Sequence, residues 1–373
     1  MSEQVTVKSL AVKNFLSLDE VKVNFGKLTI FVGPNASGKS NIIKALTLLS
    51  GIGRIESLTN IQMICREFLK IESIRQLFHD PDKELTIKID LKVKGQNASY
   101  EISFNSNGLI NREEVMLGKN LLLTRPERGK IAHLQKDGKF VRRNLEDNFP
   151  AILYMPRDID PSIRKMKDIL GNIRTYSFEA DRIRSTSSSG FNLFLLRDGS
   201  NLAQTLHSLL TYKRKIFLQI EDVMKQLIPE IEEINVPPTE DGKQVYLSIR
   251  EEGIPEPLKY HNISDGTLRI LAFVTALYLE STIIAFEEPE NCVHPYLFET
   301  VVDLCRKAPV QVAVTTHSPY LISKVSDPKE ILLVGKDKGK TTIKPVDNLD
   351  KVRRLLEEGI PLGEIWYMGE LQD

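Results

Sequence analysis

Hydrophobic positions follow three rhythms along this chain. Strict alternation, the mark of a strand with one wet face, runs through Leu85, Ile87, Ile89, Leu91 and Val93, and more loosely through residues 5–14 and 21–25. Unbroken apolar and β-branched runs predict strands buried on both faces at 28–32, 282–286 and 310–315. Helical spacing begins at Asn41 and is predicted to end near Ser50, where Gly51 and Gly53 interrupt it. It returns over 61–78, stopped by Asp80-Pro81, then over 202–210 and over 216–228, closed by Pro229. From Leu268 to Leu279 the chain is apolar nearly all round, which predicts a buried helix.

Turn residues divide the remainder. A turn around Gly95-Gln96-Asn97 predicts a hairpin with residues 100–104, and Asn107-Gly108 and Asp137-Gly138 punctuate short β pieces between 105 and 150. Ser185 to Gly190 reads as a mobile connector, and Pro237-Pro238 with Asp241-Gly242 as a loop before a strand at 245–249. No internal repeat, low-complexity tract or sustained heptad pattern is present, so no long coiled coil is expected.

The chemistry begins where the first buried strand meets the first helix. Gly33-Pro34-Asn35-Ala36-Ser37-Gly38-Lys39-Ser40 matches G-x-x-x-x-G-K-[ST], the phosphate-binding loop, in its strand–loop–helix setting. Backbone N–H groups of such a loop surround the β-phosphate, aided by the positive end of the helix dipole. Lys39 is expected at the β- and γ-phosphates, the Ser40 hydroxyl on Mg²⁺, and Asn41 beside them in the first helical turn. ATP and Mg²⁺ are therefore the expected cofactors. The run Ile283-Ile284-Ala285-Phe286-Glu287-Glu288 has the Walker B form, a buried strand delivering acids at its C-terminal edge. Glu287 is placed for the Mg²⁺ shell and Glu288 for orienting and deprotonating the attacking water. His317 ends the strand at 310–315 on the same expected edge, where it can sense the γ-phosphate or be structural. Ser264 is a natural N-cap of the buried helix, with Asp265 favourable in its first turn.

Composition narrows the class without naming it. The 373 residues are 41% hydrophobic and 27% charged, the values of an ordinary globular chain. Fifty Lys+Arg balance fifty Asp+Glu, so any nucleic-acid surface must be local. One such run holds Arg125, Arg128, Lys130, Lys136, Lys139, Arg142 and Arg143 against Glu127 and Asp137. Arg128, Lys130, Arg142 and Arg143 are the candidates for an outward patch on nucleic acid or an acidic partner; a solvated edge of a β meander explains the same residues. Cys65, Cys292 and Cys305 form neither a C-x-x-C pair nor a disulfide framework. No apolar run approaches the ~18 residues of a membrane span and no signal peptide is evident, so a cytoplasmic address is expected.

Together these segments resemble the ABC-type ATPases of the RecF/SMC/OLD group, and most closely the stand-alone "AAA family ATPase" proteins of bacteria and archaea. The resemblance is carried by the P-loop, Ser264-Asp265-Gly266-Thr267, Glu287-Glu288-Pro289-Glu290-Asn291-Cys292-Val293-His294-Pro295 and Thr316-His317-Ser318-Pro319-Tyr320-Leu321. Asp198-Gly199-Ser200-Asn201-Leu202-Ala203 and Leu362-Gly363-Glu364-Ile365-Trp366 add to it. It implies an α/β ATPase head, a mixed and parallel sheet flanked by helices, with an inserted α/β lobe. The expected division is 1–50 for the P-loop half, 51–260 for the rest of the first lobe and the insertion, and 261–373 for the second half.

The resemblance also implies a homodimer, with larger assemblies open, that sandwiches two nucleotides. Ser264 and Gly266 of a signature block 264–267 would meet the γ-phosphate on the opposite subunit, Asn291 would face the partner, and His317 would be the switch histidine. Asp265 and Thr267 depart from the transporter signature, and Cys292 stands where the group has glycine. For the Mg²⁺-sensing glutamine, Gln62 and Gln76 are positional candidates. The functional expectation is a nucleotide-gated sensor or scaffold controlling a separately encoded effector, a nuclease, in antiviral or anti-plasmid defence. The rival is a repair or recombination ATPase acting directly on DNA. A transport ATPase with membrane partners and a low-turnover structural dimer are weaker alternatives.

Overall fold

The computed structural model describes residues 5–126, 131–136, 138–154, 159–292 and 294–371. Two sheets carry the architecture. The first is antiparallel and eight-stranded, in the order Leu18–Asn24, Val5–Phe15, Leu85–Val93, Gln96–Phe104, Ile110–Leu117, Asn120–Arg125, Ile131–Lys136, Lys139–Asn144. Its alternating strands bury one face, as the period of two requires: Leu85, Ile87, Ile89, Leu91 and Val93 all point into the core. The hairpin after Val93 turns at Lys94 and Gly95, both with positive φ (49° and 84°), the geometry that matches strand twist.

The second sheet is six-stranded, in the order Ile173–Tyr176, Ile283–Glu287, Gln311–Thr316, Leu28–Val32, Ile331–Asp337, Lys340–Pro345, and is parallel except for the last strand. Leu28–Val32 and Gln311–Thr316 are buried at every position, which explains their unbroken apolar runs. The two faces of this sheet feed separate cores. Phe31, Ile283, Ala285 and Ala313 join the P-loop helix and the antiparallel sheet, whereas Ile30, Val32, Ile284, Phe286 and Val314 pack on the buried helix Asp265–Tyr278. Gln311 links the sheets: its Oε1 accepts from Val7 N (2.6 Å) and its Nε2 donates to Val7 O and Gly26 O (3.0 and 2.9 Å). The longest described helix has 16 residues, so no long coiled coil occurs among the described residues.

Several elements differ from the sequence expectation, each for a packing reason. The P-loop helix runs Lys39–Arg54, through both glycines that were expected to end it. A Cβ on Gly53 would lie 2.0 Å from Gly171 N, and one on Gly51 would meet the Phe68 ring at 2.8 Å, so these glycines allow close approach rather than termination. The helix expected over 61–78 stops at Leu69, where Lys70 turns left-handed (φ 56°), and resumes as a single 3₁₀ turn at Ile74–Leu77. Ser185 to Gly190 is tied down, since Ser187–Ser188 pairs with Gln244–Val245.

Candidate functional site

The phosphate loop lies between the C-terminal end of Leu28–Val32 and the N-terminus of the helix Lys39–Arg54. Its glycines are steric necessities. A Cβ on Gly33 would come within 2.0 Å of Val334 O, and one on Gly38 (φ 108°) within 1.9 Å of Thr341 Oγ1. Thr341 braces the loop by donating to Ser37 O (2.9 Å), and shares a hydrogen bond with Ser17 Oγ (2.6 Å). Asn41, expected among the nucleotide contacts, directs its amide to Ser17 Oγ at 2.8 Å and so holds the loop from behind. Ser37 Oγ is buried with no hydrogen-bond partner, while Pro34, Asn35 and Ala36 are exposed at the loop's rim.

Lys39 is buried and folds over the loop, donating to Gly33 O (2.6 Å) and Pro34 O (2.8 Å). Burial pulls its ammonium below the ordinary 10.5, opposed by the carboxylates of Glu288 and Glu290. A phosphate arriving here would replace two neutral carbonyl acceptors with charged oxygens, the stronger kind of bond.

The acids stand where the parallel sheet ends. Glu287 closes the strand Ile283–Glu287 beside Thr315 of the neighbouring strand. Glu288 follows in a left-handed conformation (φ 47°), with its N–H on Thr315 O at 3.0 Å. A non-glycine residue in that region is held by its surroundings, and such strain collects at functional sites. Both carboxylate oxygens of Glu288 are oriented: Oε1 lies 3.0 Å from His317 Nδ1, and Oε2 accepts from Asn291 Nδ2 at 3.2 Å. Ser40, Glu287, Glu288 and Asn291 line one pocket of about 450 Å³ together with Ser177, Phe178 and Arg269.

Hydroxyl and carboxylate oxygens are hard donors that suit Mg²⁺, which takes one or two protein ligands and completes its shell with phosphates and water. The residues present fit that arrangement. Ser40 and Glu287 share the pocket, and among the described residues no group of three or more His, Cys, Asp and Glu forms a self-sufficient metal cage.

Three participants carry no role that the sequence pattern alone assigns. Arg197 reaches across from the segment before Leu202–Tyr212, and its guanidinium pairs with Glu287 Oε1. Its only sequence signal is its position next to Asp198-Gly199-Ser200. Glu290 is nearly buried; its Oε1 accepts from Thr316 Oγ1 (2.5 Å) and His317 N (3.3 Å), while its Oε2 has no partner. Burial pushes its carboxyl above the ordinary 4.5 against those bonds. Ser177, just past the edge strand Ile173–Tyr176, is the third, and it lines the pocket where the resemblance implies a glutamine. Gln62 is exposed on its helix, and Gln76 Oε1 accepts from Glu72 N and Ser73 N (3.2 and 3.5 Å), so neither glutamine lines the pocket.

The signature block is not among the residues that line this pocket, although Arg269 of the same helix is. Ser264 caps the helix Asp265–Tyr278 by accepting from Thr267 N (3.1 Å), and Ser264, Asp265 and Gly266 are at an accessible end of it, with Asp265 and Gly266 exposed. Arg184 fixes that end by bonding Asp265 Oδ1 (2.5 Å) and Ile263 O (2.9 Å), and its guanidinium holds the Asp265 carboxyl below its ordinary value. Of the basic patch, Arg142 and Arg143 lie on the edge strand Lys139–Asn144, whereas Arg128 and Lys130 lie outside the described residues. Arg125 does not belong to an outward surface, because it is fully buried.

A P-loop, an acid-tipped neighbouring strand and a capped, buried helix define an ABC-type ATPase head of the RecF/SMC/OLD type. The chain belongs to the family described as "AAA domain, putative AbiEii toxin, Type IV TA system", whose model matches residues 28–323. It is 24% identical over 352 residues to the OLD nuclease of Thermus scotoductus, covering 89% of this chain and 62% of that protein, so it spans about three-fifths of the relative's length. It is 27% identical over 161 residues to the DNA replication and repair protein RecF of Clavibacter michiganensis, covering 42% of this chain and 38% of that protein. Among solved structures it is similar to the SmcHead bound to the C-winged helix domain of ScpA (TM-score 0.61, 14% identity, 93% of this chain and 99% of that chain). It is also similar to the Smc head of Pyrococcus furiosus with an extended coiled coil (TM-score 0.59, 14% identity, 95% and 99%). At these identities the structural likeness speaks to the fold.

Proposed function

We propose that this chain binds and hydrolyses Mg²⁺·ATP, closes as a homodimer around the nucleotide, and in that state controls a separately encoded effector, a nuclease, in defence against phage or plasmids. The observation that carries the catalytic part is the single pocket lined by Ser40, Glu287, Glu288 and Asn291. Lys39 and the first-turn N–H groups of its helix hold the β- and γ-phosphates. Ser40 and Glu287 would hold Mg²⁺, which when bound would supply charge neutralisation at the phosphates. Glu288, steadied by His317 and Asn291, accepts the proton of the attacking water.

The dimer part rests on exposure. Ser264 and Gly266 stand at an accessible helix N-terminus, available to a nucleotide bound on a second copy. The effector part rests on the likeness to the OLD nuclease over most of this chain. A second reading, a RecF-type ATPase acting on DNA itself, is supported by the RecF match and by Arg142 and Arg143 on an edge strand.

Solution mass with Mg²⁺ and ATP tests the first reading. Glu288→Gln is expected to accumulate the closed dimer, because uncut ATP favours that state. Ser264→Arg is expected to leave ATP binding intact and block closure. If Ser264→Arg still closes and hydrolyses normally, the composite site is wrong. Retention of the isolated protein on DNA, falling steeply with salt, would favour the second reading.

A further inference from the structure

Arg197 stands between two pockets. On one side its guanidinium pairs with Glu287, which lines the 450 Å³ pocket with Ser40 and Glu288. On the other it lines a wider cleft of about 800 Å³ along the outer face of the P-loop helix, with Lys44, Arg54, Glu67, Glu179 and Asp198 among its neighbours. Its backbone is fixed, since Arg197 O accepts from Ser177 N (2.9 Å) and the adjoining Asp198 O from Glu179 N (3.2 Å). Its side chain is not: it is 36% exposed, against 16% for Glu287. A fixed backbone with a partly exposed side chain at the mouth of a cleft lets the guanidinium exchange partners without moving the fold.

We propose that Arg197 is a gate on metal entry. This rests on the assignment of Glu287 to Mg²⁺ above. While the site awaits nucleotide, the guanidinium occupies one carboxylate oxygen of Glu287 and compensates the negative charge that would attract a divalent ion. Mg²⁺ bound with ATP would repel the guanidinium from that carboxylate, and Arg197 would withdraw toward the cleft that Glu179 and Glu67 also line. The gate makes metal binding depend on the nucleotide: Mg²⁺ alone loses the competition, and Mg²⁺ with phosphate oxygens wins it. Arg197 is therefore a positioning residue, acting through Glu287 rather than on the substrate.

The test is Mn²⁺ affinity, read by the paramagnetic resonance of the free ion, with and without adenylyl-imidodiphosphate. Arg197→Ala is expected to tighten binding of Mn²⁺ alone by about tenfold, the order expected when a unit positive charge leaves a partly hydrated divalent site. With the nucleotide analogue present, the gap to wild type should shrink, because the gate is already open there. Arg197→Lys keeps the charge and should stay near wild type, which separates the gate from a packing role. Unchanged or weaker Mn²⁺ binding by Arg197→Ala would overturn the proposal. So would a loss of metal-free analogue binding in EDTA, which would make Arg197 a phosphate ligand instead. Glu287→Gln is the independent control: if it binds Mn²⁺ with the analogue as tightly as wild type, the metal assignment fails whatever Arg197 does.

Discussion

Two glutamates, each with an arginine nearby, sit in the two sheets, and they are built for opposite purposes. Glu113, in the antiparallel sheet, is wholly inaccessible. Its oxygens accept from Tyr100 OH (3.0 Å), Ala151 N (2.5 Å) and Ile152 N (3.0 Å). Arg125, equally buried, donates to Phe149 O (2.7 Å) and Glu146 O (2.6 Å) and lends Glu113 its charge. Together they tie the segment 146–152 to the sheet, and the cluster is sealed and structural. Glu287, at the C-terminal edge of the parallel sheet, has one arginine for a partner and solvent within reach. The difference is access. A parallel strand ends at an edge where a carboxylate can trade partners, whereas a buried antiparallel face has to satisfy its charges permanently.

The comparison is broken most severely at Glu288. Glu288→Gln keeps the shape and hydrogen bonding but cannot take a proton, so single-turnover phosphate release should fall by roughly 10²–10⁴-fold while ATP affinity holds. Wild-type release by this variant would remove Glu288 from the role of base.

The next effect exchanges the fates of the two pairs. Glu113→Ala strips partners from three buried donors and leaves buried Arg125 with the charge of Asp147 but not that of Glu113, so denaturant unfolding should show a loss of about 3–5 kcal/mol. Glu287→Gln should cost at most about 1 kcal/mol by the same measurement, since its partner is half-exposed, yet should weaken metal binding. Equal stability of the two variants would mean that the pairs differ in nothing but location.

Acidity sharpens the contrast on a smaller scale. Burial pushes the Glu113 carboxyl above its ordinary 4.5, with the bonds from Ile152 and Ala151 pulling the other way. The folded state thus holds the proton more strongly than the unfolded one, so this residue's contribution is fully present below the unfolded pKa and is lost as pH rises through the folded one. Each pH unit inside that window changes stability by up to about 1.4 kcal/mol. Melting of wild type and of Glu113→Gln, which has no proton to lose, should therefore show wild type losing ground as pH rises from 4.5. A gap that is flat or widens in favour of wild type would mean that the bonds outweigh burial.

What could be read in the sequence follows the same division. The three central parallel strands, Leu28–Val32, Ile283–Glu287 and Gln311–Thr316, were legible because unbroken apolar runs encode burial on both faces, whereas their parallel neighbours Ile173–Tyr176 and Ile331–Asp337 were not anticipated. Gly51 and Gly53 misled, since a glycine that ends a helix and one that admits a neighbouring backbone look alike until Phe68 and Gly171 are seen beside them. Arg197 and Ser177 were invisible as site residues because their role comes from a long-range meeting with the acid-tipped strand, which no local periodicity records. Arg125 read as one more charge in a basic run; its burial depends on carbonyls 21 and 24 residues further along.

The smallest expected effect concerns the far edge of the antiparallel sheet. Arg142 is exposed and Arg143 half-buried on the strand Lys139–Asn144, whose outer side has no further strand among the described residues. If this edge meets nucleic acid, Arg142→Gln with Arg143→Gln should lower the slope of log affinity against log salt by about 0.9 for each phosphate that is no longer neutralised, with little change in ATP turnover. If the charges serve only to keep an open strand from pairing with another chain, the slope will not move, and the double variant should instead self-associate as concentration rises, because charge is what blunts such an edge. DNA retention across a salt series and light scattering on the same sample separate the two outcomes. A changed slope would give the antiparallel sheet a ligand surface of its own. Unchanged slope with new self-association would leave it, like Glu113 and Arg125 at its centre, a part whose charges serve the fold.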